Sequence, residues 1–246
     1  DGKVYDGYMY TDNGFWDTFR AVHPLFTLLY PEVSERVTQS ILNAYDESGF
    51  MPEWASPGHR ECMIGNNSIS LLTDAWMKGI RTICPEKALE AMIHQTEARH
   101  PGISSVGRDG FGYYDRLGYV PYPEVHEATA KTLEYAYADW CVARFADSIG
   151  RKEIADTYYR KALNYRNLYY PDYGFMWAKD ANGKWRDAFD ATEWGGPFTE
   201  GSSWHWTWSV LHDPEGLSRL MGGHTAMEAR LDSMFTAPNT YNYGTY

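Results

Sequence analysis

The stretch "YPEVSERVTQSILNAYDESG", residues 30–49, contains the signals that decide the fold. Pro31 suits the first position of a helix, where its missing N–H is harmless, and Glu32 places negative charge at the positive helix end. Val37 and Ile41 fall on one face of such a helix. The same Pro-Glu start recurs in "CPEKALEAMIHQTEA", residues 84–98, and "DPEGLSRLMGG", residues 213–223. The sequence therefore predicts a mainly α-helical chain.

Apolar residues at helical spacing predict further helices outside these three segments. They cover about residues 17–29, 69–81, 128–149, 151–168, 203–211 and 225–235. Within one long connection, "YGFMWAKDANGKWRDAF" at residues 173–189 places "NG" between two aromatic-rich runs, which predicts a small β-hairpin. Paired helices with long loops and no fixed-period repeat favour a partial (α/α)6 toroid. No linker divides the chain, so residues 1–246 are predicted to form a single domain.

Composition narrows the class of partner. The formal net charge of the 246 residues is -11 and no Lys/Arg-rich run occurs, which argues against nucleic acid and anionic membranes as partners. No apolar run approaches the roughly 20 residues of a membrane span. Aromatic residues make up 16% of the chain, a surplus typical of surfaces that bind hydroxylated rings such as sugars. Motifs of nucleotide-binding proteins, zinc hydrolases and serine hydrolases do not occur.

One acid stands out. Glu200 lies in "PFTEGSSWHWTW", residues 197–208, directly before a predicted helix. In a structural interpretation its carboxylate complements the positive end of that helix. In a catalytic interpretation, aromatic neighbours exclude water and favour the protonated carboxyl, which then donates a proton. The neighbours expected to crowd it are Trp194, Trp204 and Trp206. The residues alone leave both interpretations open.

Three tryptophans that follow Glu200 are spaced two residues apart, and residues with this spacing do not share one face of a helix. Trp204, Trp206 and Trp208 are therefore expected to divide between the core and a pocket wall, with Trp208 assigned to the core. His205 lies between two of them. It is predicted either to donate to a substrate hydroxyl or to hydrogen-bond a buried carbonyl.

A second polar group occurs in "GFWDTFRAVHPL", residues 14–25. Asp17 and Arg20 stand three residues apart, a spacing that places both on one helix face. They are expected either to form an ion pair within the helix or to bind vicinal sugar hydroxyls, one accepting and the other donating. A third group, "HRECMIGNN" at residues 59–67, is too polar for a simple connection, and its candidates are Arg60, Glu61 and Asn67.

Two further acids lie on the predicted helix at 128–149. Glu134 and Asp139 are five residues apart, which places them on different faces. They are assigned structural roles.

Taken together in chain order, separate motifs resemble the catalytic domain of the glycoside hydrolase family 92 α-mannosidases. They include "FWDTFRAVHPL", "CMIGNNS", "DAWMKGI", "TLEYAYADWC" and "FTEGSSWHWTWSVLHDPEGLSRLMGG". The resemblance implies a calcium-dependent, inverting exo-α-mannosidase that releases mannose from mannosides or N-glycans, with α-1,2 linkages favoured. It also implies an N-terminal β-sandwich followed by an (α/α)6 barrel. Residues 1–246 are then an incomplete fragment of that barrel, expected to be inactive alone.

The resemblance also implies roles for individual residues. Glu200 matches the glutamate of the family's T-E-G-N-x-W-Q motif, which protonates the leaving oxygen, and is the predicted catalytic residue. The predicted substrate-binding residues are Trp16, Asp17, Arg20, Arg60, Glu61, Asn67, Trp204 and His205. Three positions depart from the family pattern: Ser202 replaces Asn, His205 replaces Gln and Asn67 replaces a common His. The general base and the principal Ca²⁺ ligands are implied downstream, so no metal ligand is assigned in this chain.

Other classes of function stay open at this stage. A sugar epimerase or another (α/α)6 hydrolase uses a similar aromatic-lined toroid, and a non-catalytic carbohydrate-binding module would also present aromatic side chains to sugars. The expected partner is a mannose-containing oligosaccharide or N-glycan. The expected location of the protein is periplasmic or secreted.

Overall fold

The computed structural model describes residues 3–237 and 240–243, and it confirms a mainly α-helical fold. Its α-helices are α1 (Phe15–Thr18), α2 (Val22–Leu29), α3 (Pro31–Ser48), α4 (Asn67–Met77), α5 (Pro85–Glu97), α6 (Phe111–Leu117), α7 (Ala128–Ser148), α8 (Lys152–Lys161), α9 (Ser203–Trp206), α10 (Pro214–Leu220) and α11 (His224–Thr236). A 3-10 helix covers Ala162–Leu168. The strands, each two residues long, are β1 (Asn13–Gly14), β2 (Trp54–Ala55), β3 (Tyr169–Tyr170), β4 (Phe175–Met176), β5 (Glu193–Trp194) and β6 (Asn242–Tyr243).

The helix starts predicted at the three prolines are confirmed, and other helices differ from their predicted extent or number. Helices α3, α5 and α10 each begin with their proline. The helix predicted at 17–29 is divided into α1 and α2 because Ala21 has φ −145° and ψ −46°, outside the helical region. Helix α9 is shorter than predicted and ends at Trp206. Helix α6 lies outside the predicted helices.

The chain divides into two compact units. The first comprises Asp1–Phe111 and Ala138–Tyr159. In it, α3 packs against α2, α4 and α5, and buries Val37 and Ile41 as predicted. Helix α4 is joined to α7 by two side-chain hydrogen bonds, from the Thr73 hydroxyl to the Cys141 carbonyl and from the Trp76 indole N–H to the Ser148 hydroxyl. The core of this unit is therefore a helix-on-helix packing.

The second unit comprises Gly112–Tyr137 and Arg160–Tyr246, and it contains most of the strands. Strands β3 and β4 pair antiparallel, and β5 and β6 pair parallel. Helix α9 is tied to β4 because the Ser203 hydroxyl donates to the carbonyl of Met176 and the N–H of Met176 donates to the Thr207 hydroxyl. This tie holds the start of α9, and the loop before it, against the sheet.

The hairpin predicted around "NG" is present in a reduced form. Lys179 and Trp185 form an isolated antiparallel bridge on either side of Gly183, which has φ 84°. The strand expected before the turn is β4. It pairs with β3 instead of with the segment after the turn, and β3 is the nearer of the two along the chain. The buried Trp177 closes the base of the turn, with its indole N–H donating to the carbonyl of Arg186 at 2.9 Å.

Within residues 3–237 and 240–243, no helix combines the length and the apolar character needed to cross a bilayer.

Candidate functional site

Glu200 lies on a loop whose main chain closes on itself. In this segment, residues 195–201 and hereafter the Glu200 loop, the N–H of Gly195 donates to the carbonyl of Gly201 at 2.9 Å. The N–H of Phe198 donates back to the carbonyl of Gly195 at 3.1 Å, and the Phe198 side chain is fully buried. The loop is thus anchored by its own hydrogen bonds and by one apolar side chain.

The Glu200 loop also caps helix α7. The first N–H groups of a helix have no partner within it, and here the loop supplies acceptors. The carbonyl of Pro197 accepts from the N–H groups of Thr129 and Ala130 at 3.0 and 3.2 Å, and the carbonyl of Gly196 accepts from the N–H of Glu127 at 3.2 Å. Helix α7 and the loop therefore stabilise each other through main-chain hydrogen bonds.

The backbone of Glu200 is strained. Its φ is 43°, in the left-handed region that a residue with a side chain seldom adopts. Such a conformation costs about 1–3 kcal/mol and persists only where surrounding contacts hold it. Here the carbonyl of the preceding Thr199 accepts a 2.8 Å hydrogen bond from the indole N–H of Trp206, and the following Gly201 is held by Gly195. The contacts around Glu200 thus fix the peptide bond before it and the carbonyl of the glycine after it.

The expectation that tryptophans desolvate the Glu200 side chain is wrong for this chain, because that side chain is exposed. Each indole is directed elsewhere. Trp206 is buried and bonds Thr199, while the half-buried Trp204 packs edge-on against Phe175 with ring centroids 4.7 Å apart. The half-buried Trp194 packs against His205, with centroids 5.2 Å apart. The assignment of Trp208 to the core is also wrong, since Trp208 is half-buried and Trp206 takes that place.

Within the described residues His205 does not bond a buried carbonyl, one of its two predicted contacts, and its contact with a substrate hydroxyl stays a prediction. The main-chain N–H of Ser202, the residue before α9, donates to His205 Nδ1 at 3.1 Å, so the neutral ring carries its proton on Nε2. This is the reciprocal half of a capping box, a place usually taken by Glu or Gln. Partial burial lowers the pKa of His205, since the ring loses hydration that the cation needs. The two departures from the family motif, Ser202 and His205, therefore complement each other.

The remaining predicted site residues lie in the first unit. Strands β1 and β2 pair Gly14 with Trp54, and the Gly14 backbone lies against the side chain of Met63. The N–H of Phe15 donates to the carbonyl of Glu53 at 3.0 Å. These contacts place the segment that contains Trp16 beside the segment that leads into helix α4. The second and third polar groups of the sequence are thus neighbours.

The predicted ion pair between Asp17 and Arg20 does not form. Asp17 is exposed and, among the described residues, its carboxylate has no hydrogen-bond or ion-pair partner. The guanidinium of Arg20 lies over the rings of Phe19 and Trp16, 4.6 and 5.6 Å from their centroids. Stacking on aromatic faces stabilises Arg20 and leaves the acid open for a ligand.

The loop at 59–67 shows two different environments. The guanidinium of Arg60 lies 4.9 Å above the Trp54 ring and is exposed. Glu61 accepts hydrogen bonds from the hydroxyl and the N–H of Ser104, at 2.8 and 3.1 Å, and these bonds lower the pKa of Glu61. Glu61 therefore joins two loops, whereas Arg60 presents its charge to solvent.

Asn67 is buried at the first turn of helix α4, and its amide donates to the carbonyl of Ile64 at 3.2 Å. Behind it lies Glu53, a buried acid for which the sequence predicts no role. The Glu53 carboxyl accepts from the Ser68 hydroxyl at 2.7 Å, the Ser68 N–H at 3.1 Å and the Gln95 amide at 3.1 Å. Burial raises the pKa of Glu53 to about 8, although these hydrogen bonds act in the opposite direction.

The raised pKa of Glu53 predicts a pH-dependent stability. The folded chain keeps this proton up to pH of about 8, whereas the unfolded chain releases it near pH 4.5. The contribution of Glu53 to the free energy of unfolding is therefore complete below pH 4.5 and is lost as pH rises to 8, by on the order of 5 kcal/mol. We expect Glu53→Gln to remove that loss in urea titrations at several pH values. A parallel pH dependence in both proteins would contradict the assignment, and Glu47→Gln, on the exposed end of α3, controls for the loss of a negative charge.

Glu53 and Trp206 had no recognisable signal in the sequence. Glu53 is a single acid between Pro52 and Trp54, and its partners Ser68 and Gln95 are distant along the chain. Trp206 was identified only as one of several aromatic residues. In both cases the decisive contact is a tertiary hydrogen bond.

A calcium site is not formed by the described residues alone. Across residues 3–237 and 240–243, no three His, Cys, Asp or Glu side chains are grouped so that they could hold a metal ion. Calcium prefers six or more oxygen ligands, which the exposed Asp17 by itself does not provide.

Comparisons with known proteins agree with the motifs. The model of the glycosyl hydrolase family 92 catalytic domain matches residues 1–246. A solved structure of an inverting family 92 mannosidase from Bacteroides thetaiotaomicron is 84% identical with a TM-score of 0.95, over 100% of this chain and 33% of that one. A family 92 α-mannosidase from the same organism, solved with mannoimidazole, is 32% identical with a TM-score of 0.88, over 98% of this chain and 32% of that one.

A more distant relative is described as an uncharacterized secreted glycosidase of Arthroderma benhamiae. It is 26% identical over 225 residues, which is 78% of this chain and 29% of that protein. The chain thus spans about a third of the length of the relatives it matches.

Proposed function

Because the chain belongs to glycosyl hydrolase family 92, we propose that it forms part of an inverting exo-α-mannosidase in which Glu200 is the general acid. The observation that carries the proposal is the setting of Glu200. It is an exposed carboxylate on a strained backbone, and the peptide bond before it is fixed by a buried hydrogen bond from Trp206. Strain of this kind concentrates at functional sites, and a helix-capping role would not need it.

In the proposed reaction, the Glu200 carboxyl donates its proton to the glycosidic oxygen as the bond to the anomeric carbon breaks. A water molecule attacks the opposite face of the sugar and is deprotonated by a second carboxylate. In inverting enzymes that carboxylate lies roughly 6.5–9.5 Å from the acid. The motif resemblance assigns this base to a segment that the 246 residues do not include, so we propose that the chain contributes the acid only.

The substrate we propose is a mannose-containing oligosaccharide or N-glycan, with α-1,2 linkages preferred. The mannosidase relatives, one solved with mannoimidazole, support mannose as the sugar. In the first unit, the unpartnered Asp17 suits an acceptor for sugar hydroxyls, and the exposed Arg60 suits a donor. Trp16, Arg20, Glu61, Asn67, Trp204 and His205 stay predictions as further contacts.

Calcium and secretion are part of the proposal. The family resemblance implies a Ca²⁺ ion, and we propose that its ligand set includes residues outside this chain, since the described residues form no cluster for it. When bound, the ion would polarise sugar oxygens as a Lewis acid. The secreted glycosidase relative supports an extracellular or periplasmic location.

The stereochemistry of the product tests this function. We expect a catalytically active protein that contains these 246 residues to release β-mannose first from an α-mannoside, because single displacement inverts the anomeric carbon. Proton NMR of the anomeric signals, recorded before mutarotation, distinguishes the two anomers. Initial release of α-mannose would exclude inversion. A faster reaction with an α-1,3-linked than with an α-1,2-linked mannobiose would contradict the linkage preference.

A further inference from the structure

We propose that Trp206 is a positioning residue for Glu200, which it holds in its strained conformation by contacting both flanking residues. The inference rests on the proposed role of Glu200 as the acid. It gives Trp206 a function different from that of a pocket wall, because the side chain has only 4% of its surface exposed and is not available to a sugar.

The first contact is a hydrogen bond on the N-terminal side of Glu200. The indole N–H of Trp206 donates to the carbonyl of Thr199 at 2.8 Å, and this carbonyl belongs to the peptide bond that joins Thr199 to Glu200. Because the bond is buried, water does not compete for either partner. The orientation of that peptide plane, and with it the φ of Glu200, is therefore coupled to the indole.

The second contact is on the C-terminal side. A Cβ atom added to Gly201 would lie 3.1 Å from Trp206 Nε1 and 3.2 Å from Cδ1, closer than side chains normally pack. The ring therefore lies directly against the Gly201 backbone. The carbonyl of Gly201 is fixed at the same time by the N–H of Gly195. Glu200 thus stands between two residues that the same side chain contacts.

The consequence follows from the conformation of Glu200. With φ at 43°, the residue would relax toward the common region of negative φ if its flanking peptides were released. That rotation changes the direction of the Cα–Cβ bond and moves the carboxyl. A general acid acts only within hydrogen-bonding reach of the leaving oxygen, and a displacement of about 1 Å costs roughly 100-fold in rate.

The experiment removes the indole N–H and keeps the shape of the ring. In a catalytically active protein that contains this chain, Trp206 is replaced by β-(3-benzothienyl)alanine, which has sulfur in place of the N–H. The matched control is the same replacement at Trp177, whose indole is fully buried in the same unit and donates to the Arg186 carbonyl at 2.9 Å. Both replacements delete one indole-to-carbonyl hydrogen bond, buried at Trp206 and partly buried at Trp177, so decreases in melting temperature of similar size are expected.

The measurement compares kcat for two substrates whose leaving groups differ in their need for a proton. We expect the Trp206 replacement to lower kcat for an α-linked mannobiose by roughly 10- to 100-fold, with little change in KM, because the acid is misplaced. For an aryl mannoside whose phenol leaves without protonation, we expect less than about a 3-fold change. The Trp177 replacement should leave both rates near those of the unmodified protein. Gly201→Ala, which displaces the ring from the loop, should reproduce the selective loss.

Two results would overturn the inference: equal losses on both substrates, or a Trp206 replacement that behaves like the Trp177 control. A parallel measurement on Glu200→Gln separates this failure from failure of the proposed function. If Glu200→Gln retains full activity on the mannobiose, Glu200 is not the acid. If Glu200→Gln is inactive while the Trp206 replacement is normal, Glu200 is the acid and Trp206 does not position it.

Discussion

Glu200→Gln is expected to remove hydrolysis of mannosides whose leaving group needs a proton. The amide has the size of the carboxyl but no acidic proton, so the leaving alkoxide departs unprotonated. General acid catalysis contributes about 10²–10⁴-fold, and we expect kcat/KM for an α-linked mannobiose to fall by that order. The measurement is mannose release by a catalytically active protein that contains this chain.

The substrate supplies the internal control for this variant. An aryl mannoside with a strongly acidic phenol should be cleaved at nearly the original rate, since its leaving group is stable without a proton. Glu228→Gln makes the same charge change on the exposed surface of helix α11 in the same unit and should leave both rates unchanged. Full activity of Glu200→Gln on the mannobiose would assign the acid to another residue.

The helices show why much of the fold was predictable. The starts of α3, α5 and α10 depend on a proline at the first position, and this local preference survives in the folded chain because nothing tertiary opposes it. The break at Ala21 also has a local cause, because Pro24 has no N–H to donate to the carbonyl of Arg20 and so interrupts the helix predicted at 17–29. Proline thus marks both the helix starts and this interruption.

The surroundings of Glu200 show the limit of the same reasoning. Proximity in sequence led to the expectation that Trp194, Trp204 and Trp206 bury the acid. Their rings instead pack against His205, Phe175 and Gly201. Composition near a residue does not determine the direction of an indole ring, which depends on rotamers and on partners elsewhere in the fold. The motifs predict that Glu200 is the acid, whereas its exposure and its backbone conformation have no signal in the sequence.

For Asp139 the sequence predicts the role of the side chain but not its partner. A structural role was predicted for it from helix periodicity, and the structure confirms that role through a buried ion pair with Arg108, at 2.8 Å between Nη2 and Oδ1. The partner was not predictable, because Arg108 lies in a loop that the sequence analysis assigned no role. Ion pairs between distant segments are specified by the packing of the whole unit and leave no local pattern.

We expect Arg108→Met to destabilise the chain strongly. Arg108 and Asp139 have 1% and 0% of their surface exposed, so removing the guanidinium leaves a buried carboxylate without its counter-charge. Loss of one partner of such a pair costs about 3–5 kcal/mol. Arg108 Nε also donates to Asn66 Oδ1 at 2.7 Å, directly before helix α4, so the same change should loosen the segment that contains Asn67. Urea denaturation of this chain measures the loss.

A double substitution separates the missing charge from the missing contacts. In Arg108→Met with Asp139→Leu, no unpaired charge is left, and replacement of a buried ion pair by apolar side chains is often neutral or stabilising. We expect the double variant to recover most of the stability lost in Arg108→Met. Lys184→Met, which breaks an exposed pair with Asp187, should leave the denaturation midpoint unchanged. If Arg108→Met is as stable as the unmodified chain, the ion pair does not hold the start of α4.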